Sequence, residues 1–177
     1  MNNLPYFEKS TLDAIDAQLV AALAEDGRVT TAALARRVGL SPPSVAERIR
    51  RLEDCGVIQG YGAKILPAAL GRPLSAWIRI RPMPGQLKKT AEVLSQQGAI
   101  VACDRVTGED CFIARAHVAS VQELETLIDS IIPYAMTNSA VVQSSPVAPR
   151  LPPLPTQGLR ASRSRQGKAP AGARNHE

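Results

Sequence analysis

Apolar side chains recur at helical spacing in the first third of the chain, where they predict three short helices. The first is expected from Leu12 to Glu25, with Thr11 or Asp13 as its N-cap and Asp26-Gly27 as its stop. Its apolar positions lie three or four residues apart and are Leu12, Ile15, Leu19, Val20 and Leu23.

Two further helices are predicted downstream. One follows Thr30 or Thr31 and ends at Gly39, because glycine readily adopts the left-handed backbone of a helix C-terminus. The other has Ser41 as its N-cap and Pro42 in its first turn, where a missing N–H costs no hydrogen bond. Two helices joined by a turn this short are typical of a helix-turn-helix.

The second half of the chain changes to a pattern that alternates strands with helices. The expected order is a strand at 74–82, a helix at 86–97, two strands at 99–108 and 110–118, a helix at 120–132 and a strand at 137–145. In the first of these helices, Leu87, Ala91 and Leu94 form the expected inward face. This β-α-β-β-α-β order is that of a ferredoxin-like split βαβ unit, so the predicted fold class is α+β.

These patterns divide the chain into five segments. They are a flexible lead-in at 1–10, a helix-turn-helix domain at 11–57, a strand linker at 58–73, a βαββαβ domain at 74–147 and a disordered basic tail at 148–177. The tail is rich in Pro, Arg, Ser and Gly, and it has too little apolar surface to offset the entropy cost of ordering.

The net charge of +5 is distributed unevenly along the chain. Residues 150–177 hold six basic residues and one acidic residue, so residues 1–149 hold fifteen of each and are neutral overall. Within that neutral part, residues 28–51 carry six arginines against Glu47 alone. A local basic cluster of this kind is what the phosphate backbone of a nucleic acid attracts.

The third helix is predicted to have two distinct faces. At about 100° per residue, Val45, Ile49 and Leu52 form one apolar stripe that can pack against the first two helices. The polar stripe beside it consists of Ser44, Glu47, Arg48 and Arg51, and Arg50 lies on the back of the helix. This polar stripe is positioned to enter a DNA major groove. The alternative is an ordinary three-helix domain with a solvated arginine face.

Candidate DNA contacts follow from side-chain chemistry. Arg48 can donate two hydrogen bonds to one guanine edge, and Ser44 lies near the helix start, where groove contacts usually fall. Arg50 and Arg51 are better placed for phosphates, and the hydroxyl and N–H groups of Thr30 and Thr31 at the start of the second helix could bind further phosphates. The expected DNA-binding residues are Thr30, Thr31, Ser41, Pro43, Ser44, Glu47, Arg48, Arg50 and Arg51.

The sequence indicates no other site chemistry. Cys55, Cys103 and Cys111 form no CxxC pair, and His117 and His176 have no ligand-like neighbours, so we expect no metal, cofactor or catalytic site. The N-terminus has no secretion-signal pattern, and no apolar run approaches the roughly 20 residues of a bilayer span. We therefore expect a cytoplasmic protein that is not an enzyme and has no membrane partner.

Several motifs between residues 11 and 147 carry a family resemblance. They are DxxD at Asp13 and Asp16, DGR at 26–28, VGLSP at 38–42, RIRRLE at 48–53, GVIQGY at 56–61 and VTGEDCF at 106–112. Together they resemble the Lrp/AsnC family, the feast/famine amino-acid-responsive regulators. The resemblance implies a winged-type helix-turn-helix joined by a strand linker to a βαββαβ sensor. It also implies homodimers that assemble into tetramers, octamers or larger rings.

The resemblance further implies an effector site at the turn between the two central strands. Effectors of the family are usually amino acids, and the residues at this turn are Gly108, Glu109, Asp110 and Cys111. Asp110 stands where the family usually has an aromatic residue, and Cys111 stands where it has an acid. Glu109 or Asp110 could pair with an α-ammonium group, and backbone N–H groups near Gly108 could bind a carboxylate. A plain β-turn is the alternative.

We therefore expect a sequence-specific regulator that binds double-stranded DNA as a dimer and responds to an amino acid or a related metabolite. One alternative is a small-molecule-binding module or enzyme whose N-terminal domain serves assembly only, since a fold does not fix a function. The other is an architectural protein that coats DNA with little sequence preference.

Overall fold

The computed structural model describes residues 12–154, and the chain divides between Gly62 and Ala63 into two compact units. The predicted lead-in at 1–10, the possible cap Thr11 and most of the predicted tail lie outside the described residues. Residues 148–154 of that tail contain no helix or strand and are largely exposed. Within residues 12–154, no helix is both long and apolar enough to cross a lipid bilayer.

The first unit contains three helices, as predicted. They are α1 (Ala14–Glu25), α2 (Thr31–Val38) and α3 (Pro42–Asp54). Each begins after a side chain that accepts a hydrogen bond from a backbone N–H of the first turn, and these caps are Asp13, Thr30 and Ser41. Gly39 ends α2 with a φ of 70°, a left-handed conformation that favours glycine.

The core of the first unit is small and aliphatic. Its buried members come from all three helices and are Leu19, Ala22, Leu34, Ala35 and Val45. The hydrophobic residues of α1, α2 and α3 meet in one cluster, so the apolar stripe of α3 faces the core.

The second unit has the predicted βαββαβ order. Its elements are β1 (Leu74–Pro82), α4 (Leu87–Gln96), β2 (Ile100–Arg105), β3 (Phe112–Val118), α5 (Val121–Ile131) and β4 (Ala135–Val141). The strands form one antiparallel sheet in the order β2-β3-β1-β4. The ferredoxin-like arrangement and the α+β class are therefore confirmed.

The two faces of this sheet differ in chemistry. On one face, Ala76, Ile78 and Ile80 of β1 are buried in a cluster with residues of α4 and α5. The opposite face, which we call the outer face, carries Trp77, Arg79 and Arg81, all of them exposed. The strict alternation along β1 results from the period of two in a strand.

The structure differs from the prediction at the linker. No strand forms in residues 58–73; instead, a short 3-10 helix occupies Pro67–Leu70. An isolated strand leaves its backbone N–H and C=O groups unpaired, and this segment pairs with no strand within the described residues. Gly60, Gly62 and Pro67 also disfavour a regular strand here.

The inward face of α4 also differs from the prediction. Ala91 is exposed, and Thr90 is fully buried next to Leu94. The Thr90 hydroxyl donates to the backbone carbonyl of Gln86 at 2.9 Å, so its burial leaves no polar atom unsatisfied. Hydropathy alone favours alanine over threonine inside, because it ignores this hydrogen bond.

Ile78 provides a test of the sheet core. Ile78 is fully buried. Ile78→Ala should therefore lower the free energy of unfolding of the second unit by about 2–5 kcal/mol. Urea unfolding followed by circular dichroism measures this loss. The matched control is Val121→Ala, which truncates a half-exposed side chain at the start of α5 and should cost far less. Equal losses for the two variants would contradict the assigned core.

Candidate nucleic-acid interface and effector turn

Helix α3 places its apolar stripe as predicted. Val45 and Leu52 are buried, with 0% and 2% of their surface exposed, and Ile49 packs partly buried against the same core. The exposed residues of α3 include Pro43, Ser44, Glu47, Arg50 and Arg51. These side chains form one polar surface that the first unit presents to its surroundings.

The start of α3 is stabilised by two serines. The Ser44 N–H donates to Ser41 Oγ at 3.3 Å, and the two hydroxyls share a hydrogen bond of 2.8 Å. The equivalent cap of α2 is Thr30, whose hydroxyl oxygen accepts from the Ala33 N–H at 3.2 Å. Ser41 and Thr30 therefore have cap roles, and Thr31 is half-buried beside Thr30.

Arg48 is placed differently from what its helical position suggests. Its Nη1 donates to Asp13 Oδ2 at 2.6 Å and to Asp16 Oδ1 at 2.8 Å. Arg51 donates from Nη2 to Asp16 Oδ2, also at 2.6 Å. Arginines of α3 are thus tied to carboxylates of α1, and we call these four residues the α1–α3 clamp. A guanine contact by Arg48 through Nη1 would require breaking two of these hydrogen bonds.

Burial determines the strength of the clamp. The Asp16 side chain is only 2% exposed, whereas those of Arg48 and Arg51 are 29% and 61% exposed. A carboxylate out of contact with water is tolerated only with hydrogen-bonded cationic partners, and Asp16 has two. The guanidinium of Arg51 still has further donors that point outward, so the same residue can support α3 and contact an external anion.

Asp13 combines a cap with an ion pair. Burial by itself would raise its pKa, but the Asp16 N–H and the Arg48 guanidinium favour the carboxylate more, so the pKa of Asp13 lies below its usual value. Hydrogen bonds to the carboxylates of Asp13 and Asp16 raise the pKa of Arg48. The Asp13 carboxylate therefore binds a proton less readily in the native state than in the unfolded chain. The stabilisation is present above the ordinary aspartate pKa and is lost as pH falls through the lowered value.

Sequence reasoning assigned no role to Asp16, although the chain does contain a signal. Asp16 lies three residues before Leu19 and four after Leu12, on the apolar face of α1. A carboxylate on an otherwise buried face requires a cationic partner in the fold. Arg48 and Arg51 of α3 are those partners.

Other polar contacts restrain the rest of α3. Arg50 donates to Glu47 one turn earlier, and both side chains remain about two-thirds exposed. Near the other end, the Tyr61 hydroxyl donates to Glu53 Oε1 at 2.8 Å. Burial first, and then this contact with Glu53, raise the pKa of Tyr61 to about 12. The Tyr61 hydroxyl therefore links the chain that leaves α3 to the last turn of the helix.

The candidate effector turn joins β2 to β3. The Val106 N–H donates to the Cys111 carbonyl at 2.9 Å, and Gly108 has a φ of 109° that favours glycine. Cys111 is half-buried against the sheet core. The turn is therefore a defined hairpin connection with exposed acidic side chains.

Two arginines of β1 lie beside this turn. Arg81 donates directly to Glu109. Asp110 lies 3.7 Å from Arg81 and 3.9 Å from Arg79. The sequence prediction had named the two acids without these cations.

Family models match both units of the chain. The AsnC-type helix-turn-helix domain matches residues 12–53, and the Lrp/AsnC ligand binding domain matches residues 75–152.

Curated proteins and solved structures resemble the chain over most of its length. The HTH-type transcriptional regulator LrpA of Mycobacterium tuberculosis is 44% identical over 121 residues, which cover 68% of this chain and 81% of LrpA. LrpC of Bacillus subtilis is 31% identical over 133 residues, covering 75% and 92%. The feast or famine regulatory protein from M. tuberculosis, complexed with L-methionine, superimposes with a TM-score of 0.74 at 39% identity, covering 79% of this chain and 97% of that one.

The α1–α3 clamp can be tested with Asp16→Asn. This change retains the shape of the side chain, but it removes the charge that holds two arginines. It should destabilise the first unit by about 1.5–3 kcal/mol, which is typical of hydrogen bonds to charged groups. Thermal unfolding followed by circular dichroism measures the effect.

Glu25→Gln is the matched control. Its carboxylate is 72% exposed and lies 3.5 Å from Arg37, so neutralising it should change stability by less than about 1 kcal/mol. If Asp16→Asn were as mild as this control, the clamp would have no structural role.

Proposed function

The chain belongs to the Lrp/AsnC family of transcriptional regulators, and from this premise we propose that α3 reads double-stranded DNA while the second unit senses an amino acid. The observation that carries the DNA proposal is the outward surface of α3. Val45 and Leu52 hold the helix to the core, and a polar surface that includes Ser44 and Arg51 faces outward. This arrangement supports docking of α3 in a major groove.

We assign the DNA contacts according to the side-chain environment. Ser44 and Pro43 lie at the exposed start of α3, where base edges are usually reached. Arg51 and Arg50 are exposed cations suited to phosphates, and Glu47 can accept a hydrogen bond from a cytosine amino group. The backbone around the caps Ser41 and Thr30, together with Thr31, is the candidate for further phosphate contacts.

Arg48 has a different role in this proposal. Because its Nη1 is hydrogen-bonded to Asp13 and Asp16, Arg48 positions α3 and does not act as the first base reader. This assignment replaces the expectation that Arg48 donates two hydrogen bonds to one guanine edge.

We propose an amino acid as the effector, bound at the turn that contains Gly108. The M. tuberculosis feast or famine regulatory protein was solved in complex with L-methionine. In the present chain, Glu109 and Asp110 are exposed or half-exposed acids that can receive an α-ammonium group. The chain is proposed to act in the cytoplasm, where both DNA and amino acids are present, as a regulator without enzymatic activity.

We also propose that the outer face of the sheet packs against a second copy of the chain. Helices α4 and α5 cover only the opposite face, and Trp77 on the outer face is 45% exposed. A large aromatic side chain in this position is typical of an interface residue. A dimer would supply two α3 helices for two successive major grooves, and larger rings would combine such dimers.

DNA recognition is tested with a duplex that the wild-type protein selects from a random-sequence pool. The selected duplex should bind at least about 1,000-fold more tightly than an unselected duplex of the same length. Arg51→Ala should weaken binding to both and reduce the slope of log K against log salt by about 1. Fluorescence anisotropy over a range of salt concentrations measures both quantities.

Arg105→Ala is the control, because it removes one exposed cation from the second unit. Its affinity and salt slope should match those of the wild-type protein. If selection yields no preferred sequence, low-specificity coating of DNA replaces site recognition. If Arg51→Ala retains wild-type binding, α3 is not the DNA-facing element.

The dimer is tested by sedimentation equilibrium. Wild-type protein should have at least twice the 18.9 kDa mass of one chain, and Trp77→Glu should raise the dissociation constant at least about tenfold, because it places a charge in a packed interface. Val121→Glu, a half-exposed position on α5, should leave the mass unchanged. A monomeric wild-type protein, or equal behaviour of the two variants, would contradict the proposal.

A further inference from the structure

Glu47 lies at the centre of the outward side of α3. It follows the fully buried Val45 by two residues, and at about 100° per residue it points roughly 200° away from that side chain. The Glu47 side chain is 66% exposed. A major groove that receives this side of α3 therefore has Glu47 facing its base edges, together with Ser44 one turn earlier.

The arginines around Glu47 are already engaged with carboxylates. Arg48 and Arg51 donate to Asp16 of α1, which holds both guanidinium groups at the edge of the helix. Arg50 donates from Nη2 to Glu47 Oε2 at 2.5 Å, and its side chain is 67% exposed. A guanidinium has five N–H donors, so Arg50 can partly neutralise Glu47 and still contact a phosphate.

The contacts of Glu47 give it no evident part in the fold. Within residues 12–154, its side chain forms a hydrogen bond and an ion pair with Arg50 alone. An exposed pair of this kind contributes little to stability. A carboxylate on a DNA-facing surface also opposes binding, because DNA phosphates carry the same charge. Glu47 therefore lowers affinity for DNA in general, and such a residue can instead increase specificity by repelling the wrong partner.

The hydrogen-bonding chemistry of a carboxylate identifies the base that it would favour. An ionised glutamate only accepts hydrogen bonds. In the major groove, guanine and thymine present acceptor atoms, which repel it. Adenine presents an amino donor beside the N7 acceptor, whereas cytosine presents its amino donor without a neighbouring acceptor. Cytosine is therefore the base that the Glu47 carboxylate matches best.

We propose that Glu47 selects cytosine at one position of the DNA site and rejects guanine and thymine there, while Arg50 neutralises part of its charge in the groove. This inference rests on the proposed recognition of DNA by α3 and deepens it by naming a base. Asp54 is also exposed, but it is the last residue of α3, about two turns beyond Glu47. Base edges are usually reached from the start of the helix.

In the experiment, full-length wild-type protein and Glu47→Gln each select duplexes from the same random-sequence pool. One position of the wild-type site, with its symmetry mate if the site is palindromic, should hold cytosine. In the site selected by Glu47→Gln, that position should change to adenine, because a glutamine amide matches both the donor and the acceptor of adenine. The other positions should stay as they are.

Fluorescence anisotropy with defined duplexes measures the size of the effect. Exchange of the C·G pair for T·A at that position should weaken wild-type binding about 10- to 100-fold. The same exchange should weaken binding by Glu47→Gln far less. Glu47→Gln should also bind an unselected duplex more tightly than the wild-type protein does, because a charge that opposes the phosphates is gone. A purely structural role of Glu47 would not change the preference at a single base pair.

Glu53→Gln is the matched control. Glu53 is an exposed carboxylate of the same helix that accepts from the Tyr61 hydroxyl, so the change removes the same charge elsewhere on α3. Every base preference of this variant should match that of the wild-type protein. Arg50→Ala should retain the preference for cytosine and bind the selected site more weakly. Unchanged binding by Arg50→Ala would overturn the role of Arg50.

The outcomes separate this inference from the proposed function. If the wild-type protein selects no preferred sequence, site recognition by α3 fails, and the role of Glu47 fails with it. If the wild-type protein selects a site and Glu47→Gln selects the same one, the role of Glu47 is overturned while site recognition stands. The base assignment is also overturned if the position that changes in Glu47→Gln holds guanine or thymine in the wild-type site.

Discussion

The contact of Asp16 with two arginines is the constraint on which the DNA-facing unit depends. Three helices with a small aliphatic core could pack in several rotations, because hydrophobic contacts carry little directional information. A buried carboxylate does carry directional information, because its oxygens must meet hydrogen-bond donors at fixed distances. Arg48 and Arg51 meet that demand only when α3 presents one particular face to α1. The clamp therefore determines which residues of α3 are left for DNA.

The second unit has no comparable buried ion pair among the described residues, and its order comes from the sheet. Alternation along β1 places isoleucines under the helices and arginines on the outer face. One strand thus contributes both to the core and to the outer face. The exposed Trp77 lies on the same outer face, two residues before Arg79.

Much of the fold follows from local signals in the sequence. Ser41 and Gly39 mark helix boundaries through their own backbone chemistry, so the helix-turn-helix is predictable from neighbouring residues. The pairing of Arg48 with Asp13 is not, because 35 residues separate them and helical position alone indicates an outward arginine. Thr90 shows the same limit, since a hydrogen bond within the fold makes its burial acceptable. The Arg79–Asp110 pair likewise depends on strand register.

Both candidate sites contain arginines paired with carboxylates of the same chain, and burial separates their roles. Asp16 is 2% exposed, so an external anion that drew its arginines away would leave a buried charge without partners. Within the clamp, Arg51 is the arginine that retains donors for an external anion while its contact with Asp16 stays intact. Asp110 is 32% exposed and makes no hydrogen bond with Arg79. Separating this exposed pair therefore costs little energy, whereas separating Asp16 from its arginines leaves a buried charge unpaired.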